Sequence, residues 1–188
     1  MKRVVIALGG NALMQKGQEQ TVQTLIKNIS STVRLLQPLF STCQVVLTHG
    51  SGPQVGYLLL QNKIAEKSVP SFPLDVLDAE VQGYVGYLLE QQLLTVSSKP
   101  VVSLVTQVLV DSKDQAFKHP TKPIGPYYTK TQAEKLKKQF PMTEQIGKGW
   151  RRIVASPLPL KIVDSKTILN LMKDHLVIAV GGGGIPVI

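Results

Sequence analysis

Glycine-rich turns follow three apolar segments of the sequence. They read Gly-Gly-Asn at 9–11, Gly-Ser-Gly at 50–52 and Gly-Gly-Gly-Gly at 181–184. Glycine at the end of a buried strand lets backbone N–H groups approach phosphate oxygens, and a helix N-terminus adds favourable partial charge. Each turn alone is typical of a plain strand-to-helix connection. Three such turns at one edge of a sheet would instead favour an anion-binding site.

Three side chains beside these turns, and one farther along the chain, are candidates for chemistry. Asn11 offers an amide donor, or is a left-handed turn residue. Ser51 suits a helix N-cap. Lys122 lies between two prolines in HPTKPIGP and offers the positive charge that phosphoryl transfer requires, but an exposed loop lysine fits the same position. His49 is interpreted as a structural histidine.

Several other functional classes find no support in the motifs. The turns match neither the dinucleotide fingerprint nor the P-loop, and the histidines and single Cys43 show no metal-ligand spacing. Ser51 lacks the second glycine of a hydrolase nucleophile elbow, because position 53 is Pro. We expect no bound metal held by the chain's own residues.

Apolar patterns predict the elements that position these residues. Strands are expected at 4–8, 44–48, 101–107 and in the final LVIAVGGGGIPVI, and helices at 22–36 (ending near Pro38), 55–64, 75–94 and 167–173. This alternation predicts an α/β fold with a mostly parallel sheet and helices on both faces. Gly83 and Gly86 inside the third helix indicate close backbone packing, which we interpret as a helix–helix contact, within or between subunits.

The segment 111–159 breaks this alternation and is rich in Lys and Pro. We interpret it as an insertion that protrudes from the sheet, with a short helix opened by a capping box at Thr131 and Glu134 or at Thr129 and Gln132. It also holds much of the net charge of +9. Because basic and aromatic residues do not interleave, we expect an anion-attracting mouth or a solvated surface rather than a nucleic-acid partner.

The same composition predicts a cytoplasmic protein without a membrane segment. Apolar runs are too short to span a bilayer, and Cys43 alone cannot form an internal disulfide. The apolar IPVI directly after the last glycine turn suggests a chain interrupted in mid-fold.

Motifs in order along the chain resemble the carbamate kinases of the amino acid kinase family. They are VVIALGGNAL, VVLTHGSGPQVGYLLLQ, VQGYVGYLL, LVTQVLVD, FKHPTKPIGPYY, GKGWRRIVASP and GGGGIPV. The resemblance implies a three-layer αβα sandwich, a homodimer, and reversible phosphoryl transfer between ATP and carbamate with Mg²⁺. Carbamoyl phosphate and ADP would give ATP in arginine catabolism.

The resemblance also assigns roles to individual residues. Gly9, Gly10 and Asn11 would hold the transferring phosphoryl group, and Lys122 would reach that group or the carbamate. Gly50, Ser51 and Gly52 would line the carbamate side, and the turn with Gly182 and Gly183 would close the acceptor site. Catalysis would thus rest on Lys122, Asn11 and Gly10.

Two departures from the family pattern qualify these expectations. Ser51 stands where carbamate kinases usually have Asn, and a hydroxyl offers fewer donors than an amide. The family also continues past GGGGIPV into a nucleotide-binding part, so residues 1–188 are expected to form the carbamate-binding part only, and no nucleotide-binding residue is assigned. The alternatives are an inactive dimerisation or anion-binding module, and another acyl-phosphate-forming kinase of the family.

Overall fold

The computed structural model describes residues 1–15, 17–19 and 21–188, and the side chain of Asn11 lies outside that description. Its strands are β1 (Lys2–Leu8), β2 (Cys43–His49), β3 (Val101–Ser103), β4 (Gln107–Val110), β5 (Lys122–Tyr128), β6 (Met142–Gln145), β7 (Gly149–Val154), β8 (Pro159–Ile162), β9 (Leu176–Ile178) and β10 (Ile185–Val187). Its helices are α1 (Gly10–Leu13), α2 (Val22–Thr42), α3 (Gly52–Ala65), α4 (Leu74–Leu94), α5 (Lys130–Leu136) and α6 (Ser165–Leu171). No helix in these ranges combines the length and apolar character that crossing a bilayer requires.

A parallel sheet in the order β1-β2-β9-β3 forms the centre of the fold. Leu8 pairs with His49, and Leu47 pairs with Ile178, so β1, β2 and β9 end at the same edge. Helices α2 and α4 pack on one face and α6 on the other. The expected three-layer α/β fold with a mostly parallel sheet is confirmed.

Strand β2 is buried on both faces. Leu47 is fully buried on the face covered by α2 and α4, and Val46 packs with Ile168 of α6 on the opposite face. The apolar sequence of β1 also predicts a strand covered on both faces. Val5 is nevertheless 70% exposed, and the described residues cover only one face of β1. Cys43 is buried as a free thiol at the start of β2, as expected.

Two smaller sheets flank the central one. Strand β4 lies between β10, which is parallel to it, and β8, which is antiparallel. Strands β5-β7-β6 form a separate antiparallel sheet from the segment 111–159, named the insertion sheet below, and α5 packs against β7. Thr129 and Gln132 form the capping box of α5, so the second of the two predicted boxes is confirmed. The division of the chain at 111–159 into a protruding insertion stays a prediction.

Two predicted element bounds are wrong. Helix α2 continues through Pro38 to Thr42, because buried Phe40 anchors the last turn and the Cys43 N–H donates to the Leu39 carbonyl. The strand expected at 101–107 is two strands, β3 and β4, which belong to different sheets.

Within the chain, the glycines of α4 do not mark a helix–helix contact, and the predicted contact between subunits stays a prediction. A Cβ on Gly86 would collide with the Ser103 hydroxyl and lie 3.0 Å from its Cβ, so the close neighbour is strand β3 of the same chain. Gly83 has no described atom within 4 Å of such a Cβ and lies on the exposed side of the helix. Among the described residues, packing requires glycine in α4 at position 86 alone, and the neighbour there is a strand because α4 lies directly on the sheet.

A buried hydrogen-bond network holds the third glycine turn. Val180, which precedes it, has φ of 56°, a left-handed conformation that is strained for a β-branched residue. The Val180 N–H donates to Thr106 Oγ1 (2.6 Å), and the Val180 carbonyl accepts from Thr48 Oγ1 (2.7 Å). The fully buried Thr106 is held in turn by Gln82 of α4, whose Oε1 accepts from the Thr106 N–H at 2.8 Å.

His49, the last residue of β2, is buried beneath the same turn. Its Nδ1 lies 3.0 Å from the Gly50 carbonyl oxygen. Burial lowers the pKa of His49 below the ordinary 6.5, and the Gly50 carbonyl and the Asp78 carboxylate offset only part of that shift. The imidazole is therefore neutral in the folded protein at pH 7.

We predict that Thr106→Val destabilises the protein by about 1–3 kcal/mol, because it leaves the Val180 N–H without its acceptor while keeping the side-chain volume. Urea unfolding at pH 7.5 measures the change. Thr95→Val is the matched control, since the Thr95 hydroxyl is exposed and can bond to water. Equal stability of Thr106→Val and the parent chain would show that the network does not hold the turn.

We predict that His49 makes the protein less stable as the pH falls below 6.5. The unfolded chain protonates His49 below that pH while the folded protein resists protonation, so the contribution of His49 is complete above pH 6.5 and declines on acidification. Unfolding free energies between pH 5.5 and 7.5 are compared for the parent, His49→Asn and the exposed control His119→Gln. The pH dependence of the unfolding free energy should become flatter in His49→Asn and stay unchanged in His119→Gln. An unchanged slope in His49→Asn would show that His49 does not cause the loss of stability below pH 6.5.

Candidate functional site

The first and second glycine turns lie side by side at the edge of the central sheet. The Gly50 N–H donates to the Leu8 carbonyl at 3.0 Å, and a Cβ built on Gly50 would lie 3.9 Å from the Gly10 nitrogen. Gly9 precedes α1 in an extended conformation, and its carbonyl accepts from the Ala12 N–H at 2.9 Å. The turns therefore meet as the parallel strand order requires.

The third turn packs against the second so closely that no side chain fits between them. A Cβ on Gly181 would lie 2.5 Å from His49 Nε2, and one on Gly182 would collide with Ser51 Oγ. Gly182 also has φ of 65°, which L side chains rarely adopt. Glycine is thus required here both by conformation and by space.

A cavity of about 400 Å³ opens beside this contact. Five of the predicted site residues line it: Ser51, Gly52, Lys122, Gly182 and Gly183. The other predicted residues, Gly9, Gly10 and Gly50, do not line this cavity and lie one turn farther along the sheet edge. Asn11 belongs to α1, and its side chain lies outside the described part of the structure.

Lys122 is placed by a strand and not by a loop. It is the first residue of β5, opposite Val154 of β7. Strand β5 packs on α3, where a Cβ on Gly56 would lie 3.1 Å from the Gly125 Cα. This backbone contact brings the insertion sheet against the helix that follows the second glycine turn. Lys122 thereby lies on the cavity wall with an exposed side chain, so its position is not that of a free loop lysine.

Ser51 does not cap α3 with its side chain, contrary to the sequence-based expectation. It occupies the N-cap position, but its hydroxyl donates to Asp78 Oδ1 at 3.0 Å. Pro53 lies in the first turn of the helix, as expected. The carboxylate is a stronger acceptor for the hydroxyl than a backbone group, so it draws the side chain away from the helix N-terminus.

Asp78 is a site residue that sequence reasoning missed. Both Asp75 and Asp78 line the cavity, from the first two turns of α4. Their i, i+3 spacing places them on one side of the helix, which is the signal that could have found them. The cavity therefore has one cation, Lys122, and two carboxylates, and among the described residues Lys122 forms no ion pair.

These charges define what the cavity can do chemically. Lys122 can neutralise an anionic group, and Asp78 presents a carboxylate acceptor to an N–H donor. No group of three metal-ligating His, Cys, Asp or Glu side chains occurs within the described ranges. We therefore assign a metal ion to none of these residues.

Comparison with known proteins identifies the family. The amino acid kinase family matches residues 2–187. A carbamate kinase from Thermococcus kodakarensis is 44% identical over all of this chain and 64% of its own length. Two structures of the Giardia lamblia carbamate kinase, bound to citric acid and to AMP-PNP, superpose with TM-scores of 0.87 and 0.83 at 43% identity, covering 98% of this chain and 63% of theirs.

The chain thus spans just under two thirds of the length of these relatives. Sequence and structure agree over nearly all of it, and the family match includes the three glycine turns and Lys122. The chain belongs to the amino acid kinase family.

Proposed function

We propose that this chain carries the acceptor side of a carbamate kinase, which transfers a phosphoryl group reversibly between ATP and carbamate. The observation that carries the proposal is the cavity in which two glycine turns meet Lys122. Similarity to carbamate kinases at 43–44% identity supports this acceptor over others used in the family.

In this proposal the backbone of the first turn and Lys122 act on the phosphoryl group. The phosphoryl group in transit is held by Gly9, Gly10 and Asn11. Because the glycines have no side chain, the backbone N–H groups of this turn are open to the phosphoryl oxygens. Lys122 stabilises the charge that spreads over those oxygens in the transition state. Because β5 fixes the backbone of Lys122 on the cavity wall, its ammonium group can reach the phosphoryl group from a defined side of the site.

The second and third turns enclose the carbamate. Ser51 and Gly52 lie on one side of it, directly after Gly50, and Gly182 and Gly183 lie on the other. The Ser51 hydroxyl is bound to Asp78 and directs that carboxylate along the cavity wall. A carbamoyl NH₂ group offers the N–H donors that such an acceptor requires.

The nucleotide and the wider context belong to the same proposal. ATP or ADP with Mg²⁺ is the phosphoryl donor pair, and the AMP-PNP complex of the Giardia lamblia enzyme supports a nucleotide in this family. The described residues provide no set of metal ligands, so no step is derived through Mg²⁺. A homodimer in the cytoplasm, acting in arginine catabolism, completes the proposal.

A second candidate is an anion-binding or dimerisation module without catalytic activity. This candidate is considered because the chain spans 63–64% of the length of the carbamate kinases that it matches. It predicts that the chain binds carbamoyl phosphate but forms no ATP. The two candidates therefore differ in turnover and agree in binding.

We predict that Lys122→Ala lowers ATP formation from ADP and carbamoyl phosphate about 10²–10³-fold, the usual effect of losing one preorganised electrostatic contact. Activity is measured with the chain and with a hybrid completed by the part of the Thermococcus kodakarensis enzyme that the match does not cover. Lys118→Ala, an exposed lysine away from the cavity, is the control and should retain full activity.

The outcomes separate the candidates. ATP formation by the hybrid, lost in Lys122→Ala, supports the kinase proposal. Binding of carbamoyl phosphate by a folded hybrid that forms no ATP supports the second candidate, whereas lack of turnover by the chain alone is expected of both. A folded hybrid that phosphorylates acetate or glutamate in preference to carbamate would overturn the acceptor assignment.

We predict that Asp78→Ala weakens binding of carbamoyl phosphate about tenfold, as for a lost charge-assisted hydrogen bond, and leaves acetyl phosphate almost unaffected. The two ligands differ by an NH₂ and a CH₃ group, so only the first donates to Asp78. Phosphorus NMR titration of the chain measures both affinities. Asp75→Ala removes the same charge from the same cavity and serves as the control. Tighter binding of both ligands in both variants would mean that Asp78 acts only by repelling anions.

A further inference from the structure

A second cavity, of about 480 Å³, lies between α3 and the insertion sheet. Its walls come from the second half of α3, from residues 71 and 72, from β5 and β7, and from α5 with the turn that follows it. It shares no lining residue with the cavity that holds Lys122. The proposed phosphoryl transfer therefore gives this second cavity no role.

The charges of the second cavity are mainly positive. Lys63, Lys135 and Arg152 line it, together with one carboxylate, Glu66. Glu66 Oε1 lies 2.6 Å from Lys63 Nζ, and this is the salt bridge found in the described part of the chain. Within the described ranges Lys135 and Arg152 have no carboxylate partner, so these residues give the cavity two uncompensated cations.

Arg152 is the most informative of these groups. Its Nε is buried and has no hydrogen-bond partner among the described residues. The guanidinium lies 4.9 Å from the centre of the Phe140 ring, and burial lowers the pKa of Arg152. The guanidinium nevertheless keeps its charge at neutral pH. Because the Arg152 Nε is closed off from water, a ligand in the cavity would be bound by the terminal N–H groups of the same guanidinium.

The remaining walls of the second cavity are apolar, with polar groups at the edge. Phe72 and Phe140 lie among leucines 59, 60 and 136, and Gln132 and Gln139 add amide groups. Tyr128 contributes a hydroxyl whose pKa is raised by burial, so it stays a neutral donor. Such a cavity matches a ligand with one anionic end and an apolar body.

We propose that the second cavity binds a small organic anion, such as an aromatic or branched aliphatic carboxylate. The carboxylate accepts hydrogen bonds from the Arg152 guanidinium, and Lys135 adds positive charge at the entrance. The apolar body lies between Phe72, Phe140 and the leucines of α3. Binding does not involve Lys122 or the glycine turns.

Benzoate is the probe, and benzamide is its neutral counterpart of the same shape. Broadening of the ligand proton resonances by the 188-residue chain measures both affinities. We expect benzoate to bind at least about tenfold more tightly than benzamide, because only the carboxylate forms charge-assisted hydrogen bonds with Arg152. Equal affinities would overturn the proposal, since they would indicate apolar adsorption.

Variants assign the binding to this cavity. Arg152→Gln should weaken benzoate binding about tenfold, and Lys135→Gln, which alters an exposed side chain and leaves the core intact, about threefold. Lys138→Gln removes the same charge from a residue that does not line the cavity, and it should bind like the parent. Thermal unfolding confirms that each variant is folded. Failure of benzoate to bind the parent chain, or equal losses in Lys135→Gln and Lys138→Gln, would reject the second cavity as an anion site.

Discussion

The absence of space between the third glycine turn and the end of β2 is the constraint on which the site depends. Side chains at positions 181 and 182 would run into His49 and Ser51, so the two backbones approach each other as only glycine allows. The parallel strand order brings both turns to one edge, and the Gln82–Thr106 network holds Val180 in the strained conformation that directs the turn inward. The result is a cavity with glycine backbone along one side and the Lys122, Asp75 and Asp78 side chains along the rest of its wall.

A second close backbone approach, between Gly56 and Gly125, brings the insertion sheet to this edge. It lies one helical turn after the start of α3, which itself follows Ser51 directly. Helix α3 therefore connects the two contacts. Lys122 lies three residues before Gly125 in the same strand, β5, so the contact also fixes the position of the Lys122 backbone relative to the glycine turns. The second cavity opens on the other side of the same contact, so an occupant there would touch both α3 and β5.

Local sequence patterns predict the central layers well and the connections between elements poorly. The run that became β2 is apolar because a parallel strand buried on both faces needs no polar face, and glycine marks the turns that follow both β1 and β2. The end of α2 was predicted too early, near Pro38, because buried Phe40, which anchors the last turn of the helix, lies after that proline. The break between β3 and β4 arises from sheet pairing with β9 and β10, far along the chain, and no local pattern records such pairing.

The candidate site shows the same division between local and distant information. The glycines and Lys122 could be found because backbone conformation and flanking prolines leave a local signature. Asp78 was missed because, apart from its i, i+3 spacing to Asp75, its significance comes from a hydroxyl 27 residues away, and the same hydroxyl was assigned to a helix cap. The neighbour of Gly86 was misjudged for a related reason, since tight packing is visible in the sequence but the identity of the partner is not.

The Ser51–Asp78 pair also decides what the first cavity offers to a ligand. The serine uses its only donor on the carboxylate, so the face toward the ligand is an acceptor, whereas an asparagine at that position would have presented amide donors. An acceptor beside an anion site is unfavourable unless the ligand itself has N–H groups. A ligand with an anionic phosphoryl end toward Lys122 and an NH₂ end toward Asp78 meets both conditions, and carbamoyl phosphate has this arrangement. In the proposed function, a serine at position 51 is therefore compatible with a carbamoyl ligand because its hydroxyl is bound to Asp78, which supplies the acceptor.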